Sequence, residues 1–191
     1  MQQLKSMLRK NLIEAVSPSP FLFHMQGVQW ITEDLFQQVL EEARSSPRKR
    51  KNFNFHGTME DNPHRFLNVM LQGTYIQPHR HLFPPKPESF LIIRGSVAFV
   101  VFDEAGKILE CRLLGDDLGS LSAGGRGVDI EPGLWHTLVV LSDEAICYEV
   151  KPGPYRPADD KEFATWAPKE QDSNSGAFLT DLQQRIRTML T

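Results

Sequence analysis

The sequence predicts a mainly β sandwich or barrel with flanking helices, on three observations. From Arg65 to Lys151 the chain reads as short runs rich in aliphatic and β-branched residues, such as Val97 to Phe102 and Ala145 to Val150. Turns marked by glycine, as at Gly95-Ser96 and Asp103-Glu104-Ala105-Gly106, separate those runs. Helical periodicity lies only outside this region, toward the two ends. Short strands with turn signals and no helices between them pack as two sheets or close on themselves.

In chain order, Leu4, Met7, Leu8, Leu12 and Ala15 recur at helical spacing, predicting an amphipathic helix near 2–16. It would pack on the outside of the β domain or form a dimer contact. Ser17-Pro18-Ser19-Pro20 ends it, since proline removes an amide donor and turns its predecessor away from helix. A second helix is expected from Thr32, a good cap, with Glu33 and Asp34 at the positive end of the dipole. Leu35, Phe36, Val39, Leu40 and Ala43 form its apolar stripe, and Ser45-Ser46-Pro47 stops it. Strands are expected over Phe66 to Gln72, Leu91 to Arg94, Val97 to Phe102, Lys107 to Leu114, Val128 to Glu131, Trp135 to Leu141 and Ala145 to Val150. The glycine-rich stretch 116–127 lacks the Gly-Lys-Ser/Thr ending of a phosphate loop, and no helix follows it. Aromatics up to Trp166 would close one barrel end, residues 171–176 read as a linker, and Phe178, Leu182, Ile186, Met189 and Leu190 mark a last amphipathic helix. The expected organisation is a helical extension over 1–47, a barrel with its closing tail over 48–170, and a linker with helix over 171–191.

Composition narrows the function classes. The chain has 191 residues, 40% hydrophobic and 24% charged, ordinary values for one soluble globular domain. A net charge of −3 argues against a nucleic-acid partner. No apolar run reaches the length of a membrane span, and the N-terminus lacks a signal peptide's apolar block, so the expected location is the cytoplasm. Cys111 and Cys147 sit in strand-like runs and read as reduced core residues, with a disulfide the lesser alternative.

The chemistry concentrates between Gly73 and Gly95. In a strand, side chains alternate, so Tyr75, Gln77, His79 and His81 would share one face. Neutral imidazole is the commonest protein metal ligand. Glu88 opens the next strand, on one face with Phe90 and Ile92, and the Leu82-to-Pro87 loop is short enough to return it beside the histidines. Downstream, Pro132-Gly133-Leu134-Trp135-His136 brings a third histidine to a strand start. His79, His81, Glu88 and His136 thus suit a divalent transition metal: zinc, iron, manganese or nickel. A lone His-x-His in a strand usually means nothing; the added carboxylate and Pro-Gly-x-x-His make the metal reading the stronger one.

Around this centre several residues are candidates. Arg48-Lys49-Arg50-Lys51 reads either as a solvated turn or as an anion site. Asn52, Asn54 and His56 follow with strand alternation; His56 would line a ligand cavity or be a hydrogen-bonded structural histidine. Cys147 and Glu149 share a face: an inward Glu149 would orient a ligand histidine or act as general base, and an outward one would pair with Lys151. Tyr75 and Gln77 would share the cavity by parity. Arg50, Asn52, Asn54 and Gln77 are the expected ligand-pocket residues, and Glu149, His56 and Tyr75 the expected proton carriers.

These motifs resemble those of the cupins. The first cupin motif is Gly, five residues, His-x-His, three or four residues, Glu, six residues, Gly; Gly73, His79, His81, Glu88 and Gly95 follow it, with six residues between His81 and Glu88. Gly125, Gly133 and His136 follow the second motif, with Glu131 in place of a proline and Val140 in place of an asparagine. Residues 28–170 resemble more narrowly the WbuC family of cupin-fold metalloproteins, through Arg50-Lys51-Asn52-Phe53-Asn54-Phe55-His56, the Tyr75-to-His81 run and Lys161-Glu162-Phe163-Ala164-Thr165-Trp166-Ala167-Pro168. The resemblance implies a cupin-type double-stranded β-helix (jelly roll) with flanking N- and C-terminal α-helices. It also implies an association with bacterial surface-polysaccharide metabolism and homodimers formed through sheet faces. On that basis the expected ligand is a small polar molecule, a sugar or nucleotide sugar. The expected function is a metal-dependent isomerase or epimerase, with a noncatalytic sugar-binding module and an iron dioxygenase as the alternatives.

Overall fold

A computed structural model describes residues 27–115, 124–158 and 160–190. The helix expected near 2–16, His24 and most of the glycine-rich stretch lie outside the described residues. Two helices and ten strands follow in chain order among the described residues: α1 (Glu33–Ser45), β1 (Arg50–Asn54), β2 (His64–Leu71), β3 (His79–Arg80), β4 (Glu88–Arg94), β5 (Ser96–Phe102), β6 (Ile108–Gly115), β7 (Gly127–Ile130), β8 (Trp135–Val140), β9 (Glu144–Lys151), β10 (Glu162–Phe163) and α2 (Ser175–Leu190).

The strands form two five-stranded antiparallel sheets, β1-β2-β9-β4-β7 and β10-β3-β8-β5-β6. Apart from the β1–β2 and β5–β6 hairpins, consecutive strands alternate between the sheets, which is the roll expected of a cupin-type β-helix. Alternation then decides what each strand does. In β2, Leu67 and Val69 face outward and pack with Leu35, Val39, Leu40 and Ala43 of α1 and with Ile146. The intervening Phe66, Asn68 and Met70 face inward. On the other sheet, Leu179, Leu182 and Ile186 of α2 pack with Ala98, Val100, Phe102 and Ile108. Each helix therefore buries its apolar stripe on the outer face of a different sheet.

Between the sheets the two ends differ. One is filled by Met70, Ile92, Val97, Leu114, Leu138, Val140 and Cys147. The other stays open and carries polar side chains. Cys111 and Cys147 are both free thiols.

Candidate metal centre

His79 and His136 stand directly opposite each other in the β3–β8 ladder, with ring centroids 4.6 Å apart. Sequence-distant motifs are thus joined by one register position. His81 follows β3, and Glu88 opens β4 on the opposite sheet. The six-residue connection folds back far enough to set Glu88 Oε1 2.9 Å from His81 Nε2 and Oε2 3.2 Å from His136 Nε2. All four side chains are buried, and one ligand atom from each lies within 4.8 Å of the others.

The donor set fits a metal ion by its hydrogen bonding. Each imidazole turns Nδ1 to a backbone carbonyl: His79 to Gln77 at 3.0 Å, His136 to Leu134 at 2.9 Å, and His81 to Asp160 in a short contact. With Nδ1–H donating there, the Nε2 lone pair is left to point inward. His81 Nε2, His136 Nε2 and both Glu88 oxygens are buried without a hydrogen bond, because their close approaches lack hydrogen-bond geometry. Converging acceptors buried without donors are costly unless a cation lies between them. Burial also pushes the His79 pKa well down, keeping that ring neutral and able to ligate.

The centre opens into a cavity of about 1130 Å³ lined by residues of both sheets. Asn52, Asn54, His56, Gln77, Arg50 and Glu149 are among its lining residues. Glu149 occupies the inward row of the first sheet, in register with Phe66 on β2 and Phe90 on β4. It is buried, and Asn68 Nδ2 donates to its Oε2 at 3.3 Å. Burial, and then the charge of Glu88, push its pKa up to about 8. A surface pairing of Glu149 with Lys151 is not what forms: the Lys151 ammonium sits 2.9 Å from Asp160 instead.

His56 is buried, with its Nδ1 accepting from the Arg65 amide at 3.2 Å. Its ring stacks on His64 with centroids 4.1 Å apart. It is both hydrogen-bonded and part of the cavity wall, which joins its two expected roles. Arg50 lines the cavity with its guanidinium already engaged, donating to the Tyr75 carbonyl at 2.9 Å and to Glu170 in a short contact. Glu170 also pairs with Arg48 at 3.1 Å, so both arginines of the basic run have a carboxylate partner.

Tyr75 is the expected cavity residue that lies elsewhere. Its ring packs on Phe178 of α2, and its hydroxyl donates to the Pro168 carbonyl at 2.8 Å. Strict alternation from Tyr75 to His81 fails because regular strand covers only His79–Arg80. Ile76 lines the cavity with Gln77.

A buried ion cluster that no sequence motif announces adjoins the histidines. Asp160 takes Lys86 at 3.0 Å on one oxygen and Lys151 at 2.9 Å on the other, while its carbonyl holds His81. Lys151 further lies 3.6 Å from Glu88. A parity signal was present: Lys86 precedes Glu88 by two residues, and Lys151 follows Glu149 by two.

A family profile described as a domain of unknown function, DUF6016, matches residues 31–114, less than half of the chain. No curated protein matches. Among solved structures, protein SO0799 from Shewanella oneidensis is 13% identical with a TM-score of 0.50, covering 83% of this chain and 94% of that one. The capsular polysaccharide assembling protein CapF from Staphylococcus aureus is 20% identical with a TM-score of 0.49. That match covers 62% of this chain but only 32% of CapF, so the chain spans about a third of CapF's length. KdgF from Halomonas sp. is 15% identical with a TM-score of 0.43, covering 59% of this chain and 84% of that one. At these identities the likeness is one of fold, and that fold is the cupin-type roll with flanking helices.

Proposed function

We propose that this chain is a metal-dependent cupin enzyme that isomerises or epimerises a carbohydrate or nucleotide sugar of bacterial surface-polysaccharide metabolism, acting in the cytoplasm as a homodimer of the WbuC family. The observation that carries the catalytic reading is the position of Glu149. It is an ionisable side chain in the wall of the cavity that the four-residue centre opens into, and it belongs to no ligand set.

A divalent ion held by His79, His81, Glu88 and His136 would polarise a substrate carbonyl. The chain's own residues supply the rest. As carboxylate, Glu149 takes the proton from the hydroxyl-bearing carbon beside that carbonyl; the C–H electron pair becomes a C=C bond as the C=O π pair moves onto oxygen. The Glu149 carboxyl then gives the proton to the former carbonyl carbon, while the hydroxyl proton passes to the other oxygen and leaves the carbonyl at the neighbouring carbon. Burial raises the pKa of this carboxyl in the metal-free protein, and a higher pKa makes its carboxylate the stronger base toward a C–H proton. His56, on the same wall, is the second proton carrier. Asn52, Asn54 and Gln77 supply amide groups suited to sugar hydroxyls, and Phe66 and Phe90 flank Glu149 with dry surface.

The test is proton exchange. Metal-loaded protein is incubated with candidate sugars and nucleotide sugars in deuterated buffer, and carbon-bound deuterium is followed by NMR. Exchange is expected, and Glu149→Gln should slow it by about 100-fold or more at unchanged metal content. Tight binding without exchange for every ligand would make the protein a binding module. Oxygen consumption with ferrous iron alone would make it a dioxygenase.

A further inference from the structure

Lys161 lines the metal cavity. It is half-buried and immediately precedes β10, whose Phe163 pairs with His79 and lines the same cavity. Residues two apart share a face of an extended chain, so Lys161 and Phe163 both point inward. The carbonyl one residue earlier, at Asp160, holds His81.

Its neighbours' charges are already matched. Lys86 and Lys151 share Asp160, and Lys151 approaches Glu88 as well. Arg48 and Arg50, which also line the cavity, share Glu170. Among the described residues the Lys161 ammonium makes no hydrogen bond and no ion pair. Burial and the Lys151 charge lower its pKa, while Glu88, Glu149 and Asp160 oppose that fall. An anion beside it would favour its charged form. A divalent ion on the histidines would add two positive charges beside the single Glu88 carboxylate. A half-buried cation without a counter-ion is costly unless something else supplies one.

We propose that Lys161 is the anchor for a negatively charged group of the ligand, a carboxylate or phosphate, so that the site takes acidic sugars or sugar phosphates in preference to neutral sugars. This builds on the proposed carbohydrate function and specifies its substrate class. Lys161 fixes the ligand's anionic end while the metal centre faces its hydroxyl or carbonyl oxygens. Lysine suits this as a compact point charge with three donors. Lys161 is a positioning and specificity residue; its contribution is to binding.

The experiment is calorimetric titration of zinc-loaded protein with glucose, glucuronate, glucose 1-phosphate and the non-sugar anions glycolate and inorganic phosphate. Zinc content and circular dichroism are checked for each variant. Glucuronate or glucose 1-phosphate is expected to bind about tenfold or more tightly than glucose, and Lys161→Gln to erase that difference while leaving glucose binding unchanged. Lys161→Arg should keep most of it, which separates charge from folding effects. If glycolate or phosphate binds in a Lys161-dependent way and no sugar does, the anion anchor stands and the carbohydrate reading fails. If sugars bind regardless of charge, or the Lys161→Gln protein binds glucuronate as the wild type does, the anchor is wrong and the carbohydrate reading survives. Absence of binding by all five probes overturns both.

Discussion

A carboxyl group pressed between Phe66 and Phe90 tests how the site treats charge. The pKa of Glu149 stands at about 8 in the folded protein against an ordinary 4.5, first through burial and then through Glu88. The sign follows from linkage: between those values the unfolded chain has released its proton and the folded chain has kept it. The stability this group contributes is therefore complete below about pH 4.5 and is lost as pH rises toward 8. Glu149→Gln keeps an oxygen to accept from Asn68 and never carries the charge. In metal-free protein the variant and wild type should differ little in this group's contribution at pH 4. The variant should then gain on wild type up to pH 8, by at most about 1.4 kcal/mol per pH unit and by a few kcal/mol in all. Urea unfolding midpoints at closely spaced pH values measure it; a gap that stays constant or shrinks with pH would mean Glu149 is not buried in its neutral form. At this scale the sequence disclosed the histidines and Glu88, because their types and spacings are chemically unusual. It left Glu149 with two orientations and missed Asp160, whose partners Lys86 and Lys151 are 74 and 9 residues away along the chain. Parity with Glu88 and Glu149 hinted that Lys86 and Lys151 face inward, but nothing local marks Asp160 as the residue they meet. Lys161 was hidden for the same reason.

At the scale of elements, alternation was legible wherever strands are long. β2 and β9 each run eight residues, and their inward and outward sets separate as period two requires. It misled at β3, where two residues of strand could not extend the parity back to Tyr75. Both described helices lie where their apolar stripes indicated, α1 beginning one residue after the expected Thr32 cap. Turns were legible through glycine, and the β4–β5 turn shows why. Gly95 has a φ of +75°, and a Cβ there would stand 2.1 Å from the Glu144 carbonyl oxygen. Neither backbone strain nor that collision can be relieved by a side-chain rotation, because the neighbour is backbone. Gly95→Ala should therefore cost about 2–4 kcal/mol. Gly176, in the first turn of α2, has nothing within 4 Å of such a Cβ. Gly176→Ala should be neutral or stabilising by up to about 1 kcal/mol, since alanine is the better helix former. Thermal unfolding of the two variants side by side gives the comparison; equal effects would refute the steric account of the turn.

On the scale of the whole molecule, the metal ligands are divided between the two sheets. His79, His81 and His136 come from the β3–β8 side and Glu88 from β4 on the other. Each sheet carries its own helix on its outer face, so the two halves meet through the apolar end of the interior and through this centre. An ion gripped here binds only when both halves are assembled, and its binding free energy is therefore folding free energy. At free zinc about a thousand times its dissociation constant the gain is about 4 kcal/mol. For a chain of this size that raises Tm by about 10 °C. Removing His79 or His136 by alanine should abolish the zinc-dependent rise, since each loses a ligand from the histidine side. Glu88→Ala leaves three imidazoles on one sheet and removes the link to the other. If the carboxylate is the clamp, this variant should retain measurable zinc by elemental analysis and yet show a rise in Tm well below that of wild type. A full rise in Glu88→Ala would mean that the ion stabilises the histidine sheet alone. An unchanged zinc content in His79→Ala would remove the centre from these residues altogether.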